Sequence, residues 1–430
     1  MLIKSLTGLL AGLAIVLVSG CSTPCDAPGA LCAPVESNTS VYGQGGRPPA
    51  MRQPTAPAST VPPSSAPAPR PADAVVTAPI ELPGTGTGAV TRIALLLPLD
   101  SPALGAPAQA VRAGFMASVE RDGAGFEVEV VATGDNPQDA LAAYARAAAG
   151  NDIVVGPLAR PAVSALIAGG GVTKPTVALN HPDQGSAPPQ RMLVAGLSIE
   201  DEARQVAQWA AREHPHSRAL ILTSGAAWGQ RTAGAFEARW SELGNTSQRL
   251  ALPAANGIVD RAAIDELKTR LEIDAPDVLF AALDVAELRQ VRAVTGAAVP
   301  VYGGGSLNPG HAPGTTDLDG VHILDLPWLV RPDHPAVMVY PRPLATDQPL
   351  DMERLYALGI DAFRVARDMA RRPNAPFDID GVTGQLAVRP GAAAQSWQLQ
   401  RKEAAAVYRN GRFEPVEREP VERAPLDREP

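Results

Sequence analysis

Between residues 92 and 302 the sequence switches repeatedly between short apolar runs and helical spacing, in two successive series. The first run, Arg92-Ile93-Ala94-Leu95-Leu96-Leu97-Pro98-Leu99, is apolar without alternation. A strand of that kind is covered on both faces, as in a parallel sheet flanked by helices. Helical spacing over 106–120 follows (Ala110, Gly114, Met116, Val119). Strands at 126–132 and 152–157 then flank an Ala-rich helix at 137–149, and a short helix at 161–168 leads to strands at 175–180 and 192–195. The second series opens at Ser198, whose hydroxyl and the acidic turn Glu200-Asp201-Glu202 mark the start of a helix running to Glu213. Strands at 218–223, 246–251, 278–282 and 299–302 alternate with helices at 228–243, 261–271 and 285–294. The repeated alternation predicts two doubly wound α/β lobes, Rossmann-like, over about 91–197 and about 198–319. The run at 320–326, a helix at 352–369 and a hairpin at 383–413 are too little for a third lobe. They are expected to add to the first two, so that the chain crosses between lobes more than once.

The first 20 residues read as a signal peptide: Lys4 supplies positive charge, Leu9 to Val18 a short apolar core, and Ser19-Gly20 small residues beside the cut. The stretch is too short to span a bilayer. Leu17-Val18-Ser19-Gly20-Cys21 has the form of a bacterial lipobox, which makes Cys21 the expected site of lipid attachment. Several acyl chains, at about 0.8 kcal/mol per buried CH₂, would make that anchor close to permanent. A plain signal peptide cut near Gly20 is the alternative. Ser22 rather than Asp after the cysteine points to the outer membrane. Residues 21–90 hold fourteen prolines and almost nothing apolar to bury, and so are expected to be a disordered linker. As a coil its ends would lie about 50 Å apart, and extended it could reach roughly 200 Å. Cys25 and Cys32 could pair locally or with another chain. Residues 417–430 mix charge with proline and read as a solvated tail.

The formal net charge of −8, with no run of Lys and Arg, argues against nucleic acid as a partner. No cofactor is expected. There is no Gly-Lys-Ser/Thr and no G-x-G-x-x-G opening a helix after the first strand, although Gly303-Gly304-Gly305 could offer N–H groups to a phosphate. The six histidines lack metal-ligand spacing, and His214 and His216 fit a helix end better than a metal site. No G-x-S-x-G occurs and no cysteine lies beyond Cys32, so no catalytic constellation is visible. Ligands of doubly wound sheets sit beyond the carboxyl ends of the strands. That rule selects Asp100, Ser101, Gly156, Pro157, Asn180, Trp228, Asp284 and Ser306 as the lining of an interlobe cleft, together with Trp328, which could equally brace a hinge. Pro and Gly at such places are equally explained as turn residues. Trp240, beside Phe236 in the helical pattern, reads as core.

Several of these segments together resemble a known family. Ile93 to Leu99, Ala110-Val111-Arg112-Ala113-Gly114-Phe115, Val154 to Leu158, Ala178-Leu179-Asn180, Glu202-Ala203-Arg204-Gln205, Trp228-Gly229-Gln230-Arg231, Leu318-Asp319-Gly320 and Asp325-Leu326-Pro327-Trp328 look like the carboxyl-terminal domain of LpoA-type penicillin-binding protein activators. The resemblance covers about residues 92–416 and implies a type 1 periplasmic-binding-protein fold. It also implies an outer-membrane lipoprotein, facing the periplasm, that stimulates a bifunctional class A penicillin-binding protein of the inner membrane. Enterobacterial members carry a helical-repeat amino-terminal domain where this chain has its Pro-rich segment, so no contact residues carry over. The expected function is therefore non-enzymatic regulation of peptidoglycan synthesis by protein contact. The alternative is a lipid-anchored receptor for an amino acid or similar small polar solute, clamped by Asp100, Ser101, Ser224, Asp284 and Ser306. A weaker third expectation is a peptidoglycan fragment in the cleft that biases lobe closure.

Overall fold

The computed structural model describes residues 90–183, 187–310, 316–343, 349–391 and 396–416. The leader, Cys21, Cys25, Cys32, the linker and the tail at 417–430 lie outside the described residues.

Lobe 1 is a five-stranded parallel sheet in the order β2-β1-β3-β4-β5, built from β1 (Thr91–Leu97), β2 (Phe126–Ala132), β3 (Ile153–Val155), β4 (Thr176–Ala178) and β5 (Met192–Val194). Ile93 to Leu97 of β1 are fully buried, as an unalternated apolar run requires. Its even-numbered side chains, Ala94 and Leu96, meet α2 (Pro137–Gly150) and α3 (Arg160–Ala168). Its odd-numbered ones, Ile93, Leu95 and Leu97, meet α1 (Gly105–Asp122) and a helix from far along the chain, described below.

Lobe 2 starts with α4 (Ile199–Glu213), capped as expected by the Ser198 hydroxyl, which accepts from the Asp201 N–H at 3.1 Å. It continues through β6 (Arg218–Thr223), α5 (Ala227–Glu242), β7 (Thr246–Ala251), the small hairpin β8 (Ala254–Ala255) and β9 (Ile258–Val259), α6 (Arg261–Ile273), β10 (Val278–Ala282), α7 (Val285–Thr295), β11 (Val301–Gly303) and β12 (Val321–Asp325). Helices α4 and α5 cover one face of the sheet, and α6 and α7 the other. Trp240 is fully buried and stacks on Phe236, as read from the sequence. Among the described residues no helix is long and apolar enough to cross a membrane.

After β12 the chain passes through α8 (Pro327–Val330) and α9 (Pro335–Met338) and enters α10 (Leu350–Arg371), which packs into lobe 1. The seam between α1 and α10 is set by two glycines. A Cβ on Gly114 would collide with the Tyr356 carbonyl, and one on Gly359 with the Val111 carbonyl, so the two backbones touch. That approach seats Phe363 against Phe115 at 5.4 Å between ring centroids.

The segment expected as one hairpin, 383–413, belongs instead to two sheets. β13 (Phe377–Asp380), β14 (Gln385–Arg389) and β15 (Gln398–Lys402) form an antiparallel sheet that sends Phe377, Ile379, Leu386 and Val388 into the lobe 1 core. β16 (Ala404–Arg409) and β17 (Arg412–Val416) complete lobe 2, whose sheet runs β17-β16-β12-β11-β10-β6-β7. β15 is polar with one apolar side chain, whereas Ala405 to Tyr408 are all buried, because β16 lies between β12 and β17. The chain thus crosses between lobes near Gly196, near Leu326 and at Glu403.

Candidate functional site

The loops that end the lobe 1 strands are fastened to one another. Gly156 has φ of +113° and lies so close to the Leu96 carbonyl that a Cβ would collide with it. Gly156 and Pro157 are both buried. Asn180 donates from Nδ2 to the Leu158 carbonyl at 3.0 Å, tying the end of β4 to the end of β3. The Ser101 hydroxyl accepts from the Leu104 N–H at 2.7 Å where the chain turns into α1. Asp100 is exposed, and its N–H donates to the Thr133 carbonyl.

Lobe 2 uses its candidates in the same way. Asp284 caps α7, accepting from the Glu287 N–H at 2.8 Å while the Glu287 carboxylate accepts from the Asp284 N–H at 2.9 Å. The Ser306 hydroxyl donates to the Leu283 carbonyl at 2.9 Å. Trp228 sits half-buried in the first turn of α5. Trp328, named above as a cleft candidate, is fully buried and faces no cleft. Its indole N–H points to Glu353 at 3.3 Å, and the Arg342 guanidinium covers its ring at 4.2 Å. Of the two roles read for it, the brace is the one its burial allows.

Gly303-Gly304-Gly305 is not an open cradle. The Glu202 carboxylate from α4 lies against it, accepting from the Gly305 N–H at 2.9 Å, and a side chain on Gly304 would occupy the same space. The acceptor held by this turn is therefore one of the chain's own side chains. Burial pushes the Glu202 pKa well above its usual 4.5, reinforced by Glu403 and Asp325 and opposed by Arg354 and the Gly305 N–H. A carboxyl whose folded pKa is raised holds its proton more tightly folded than unfolded. The stability this contributes is full below 4.5 and is lost as pH rises through the raised value. Glu202→Gln keeps the acceptor for Gly305 and cannot ionise, so its urea midpoint should decline less between acid and neutral pH than that of the unaltered protein.

The sequence reading missed the charged residues gathered where the lobes meet. Asp325, 1% exposed at the end of β12, pairs with Arg354 of α10 at 2.7 Å and accepts from Asn308 at 2.9 Å. Burial works to lower the Arg354 pKa, and the adjacent Asp325 carboxylate outweighs it, holding the group firmly cationic. Arg401 of β15 is enclosed and donates to the Ala195 and Gly196 carbonyls at 2.8 and 2.9 Å. Beside it a cavity of about 400 Å³ is bounded by His181, Ser198, Asp201, Gln205 and Glu403 among others, and takes in none of the nine candidates. Among the described residues no group of His, Cys, Asp or Glu side chains is placed to hold a metal ion.

Residues 81–411 match the model of the family described as "LppC putative lipoprotein". The chain belongs to the LppC family. Curated relatives of this LppC chain include "Penicillin-binding protein activator LpoA" of Haemophilus ducreyi, 26% identical over 336 residues covering 76% of this chain and 54% of the relative. The protein of the same name from Enterobacter sp. is 27% identical over 68% of this chain and 45% of its own length. The LppC chain thus spans about half the length of the curated relatives it matches. Among solved structures, a "putative branched-chain amino acid ABC transporter" from Chromobacterium violaceum is 33% identical, with a TM-score of 0.62, over 74% of this chain and all of that one. The LpoA C-domain of Haemophilus influenzae, "a regulator of PBP1A", superposes with a TM-score of 0.61 over 76% of this chain and all of its own, at 22% identity, a likeness of fold. The two-lobed periplasmic-binding-protein-like architecture read from the sequence is the one observed.

Proposed function

We propose that this chain is a lipoprotein, anchored in the outer membrane through Cys21, that binds and activates a bifunctional class A penicillin-binding protein. The observation that carries this reading is the match of residues 81–411 to the LppC family, together with curated relatives of this chain that are named penicillin-binding protein activators. The Pro-rich stretch supports it, because an anchor in one membrane and a partner in the other demand a long reach. Regulation by contact, without catalysis, agrees with relatives that are named activators. The solute-receptor alternative needs free side chains in the cleft. Ser101, Asp284 and Ser306 are spent on caps and turns, and Ser224 bonds Glu287, which weighs against an amino-acid clamp.

The test is to add the full purified chain to its cognate class A penicillin-binding protein in detergent and follow glycan polymerisation and peptide crosslinking. Both rates should rise with added chain, and the two proteins should co-purify. Unchanged rates without co-purification would overturn the proposal.

A further inference from the structure

In two-lobed proteins that close on a ligand, the crossing segments must twist as the lobes swing. Here each of the three crossings has backbone atoms held by a side chain. At the first, Arg401 donates to the Ala195 and Gly196 carbonyls, and its Nε points to the Thr383 hydroxyl at 3.2 Å. At the second, Asp325 accepts from the Leu326 N–H at 2.8 Å while held by Arg354. At the third, the Glu403 N–H donates to Gln205 of α4 at 3.1 Å. Arg354 also joins the lobes directly. It rides on α10, whose Leu358, Ala362 and Phe363 lie in the lobe 1 core, and it reaches the Gly305 carbonyl of lobe 2 at 2.8 Å. Glu202 closes the far side of that turn through the Gly305 N–H.

We propose that this hinge is a locked joint: Arg354 and Arg401 fix the angle between the lobes, and the domain presents one rigid two-lobed surface instead of closing around a solute. A swing would draw Arg354 away from a carboxylate that is 1% exposed, leaving a buried charge without its counter-ion. It would also pull the Ala195 and Gly196 carbonyls away from the Arg401 fork, a two-point hold that a rotating strand cannot keep. The inference concerns motion alone and stands or falls separately from activation of a synthase.

Spin labels on the full chain test it. Gln109→Cys on α1 and Gln230→Cys on α5 are exposed positions on different lobes, in a background with Cys21, Cys25 and Cys32 changed to Ser. Pulsed dipolar spectroscopy should give one narrow distance distribution, unmoved by millimolar leucine or a mixture of free amino acids. Arg354→Met should broaden or shift it. If that variant fails to fold, the near-isosteric Asp325→Asn weakens the same hold while keeping its shape, with circular dichroism on the same samples showing that the fold survives. A broad distribution in the unaltered protein, a shift on adding amino acids, or a folded latch variant as narrow as the parent would each overturn the proposal.

Discussion

Replacing Gly359 with alanine is expected to lower stability by about 3 kcal/mol or more, although alanine gains roughly 1 kcal/mol in helix propensity over glycine. The added Cβ would collide with the Val111 carbonyl and come within 2.8 Å of the Phe115 N–H, and both belong to the backbone of α1. No side chain can swing aside to relieve such a clash. The helices must separate, which loosens Phe363 from Phe115 and Phe126 and opens the lobe 1 core. Gly114→Ala meets the Tyr356 carbonyl from the opposite side and should behave alike. Gly150→Ala at the end of α2 is the control, since a Cβ there meets nothing within 4 Å. Thermal melts followed by circular dichroism should place the two seam variants about 6 °C or more below the parent and leave the control near it. Equal melting temperatures for Gly359→Ala and Gly150→Ala would mean that the seam yields.

Asp361→Ala is expected to cost about 3–5 kcal/mol, the range for breaking a buried ionic cluster from one side. At 1% exposure its carboxylate accepts from the Val382 N–H at 3.2 Å, the Thr383 N–H at 2.7 Å and the Thr383 hydroxyl at 2.6 Å, and it pairs with Arg364 at 3.1 Å. Alanine leaves the two N–H groups without an acceptor and Arg364 without its counter-ion. Asparagine keeps the shape but turns an amide NH₂ toward donors, so Asp361→Asn should recover only part of the loss. Urea titrations should show a lower midpoint at an unchanged slope, the signature of lost stability without a change in the surface exposed on unfolding. A midpoint within error of the parent for Asp361→Ala would remove this cluster from any account of how α10 is fastened to the turn after β13.

The two sheets were legible in the sequence because parallel strands buried on both faces leave unbroken apolar runs, as Ile93 to Leu97 and Val278 to Ala282 do. Caps were equally visible: Ser198 stands before an acidic turn and caps α4 through its hydroxyl. The hairpin of β8 and β9 was missed although Asn256-Gly257 announces it, both residues holding positive φ. The split of 383–413 between two sheets could not be read, because the pairing of a strand depends on which lobe its neighbours have joined. Strands 152–157 and 175–180 were read too long, since Gly156 bends away at φ +113° and Asn180 turns back to Leu158. At the candidate site, chemistry was expected of polar residues after strands, and the structure spends most of them on local hydrogen bonds. The charges gathered at the joint were illegible for a different reason. Glu202, Asp325, Arg354 and Arg401 are 199 positions apart from first to last, and nothing in their local sequence separates them from solvated charges on a helix face.

The threading of the chain bears on how the molecule can be made and divided. Lobe 1 begins at β1 but lacks α10 until residue 371 and its small sheet until residue 402, while lobe 2 waits for β16 and β17 to close its edge. Neither lobe can therefore finish its core while the ribosome or an export channel still holds the last quarter of the polypeptide. A chain built this way stays threadable until nearly all of it has emerged. For the same reason no single cut yields two halves that each carry a whole lobe, and a premature stop before the end of β15 at Lys402 would cost both lobes at once.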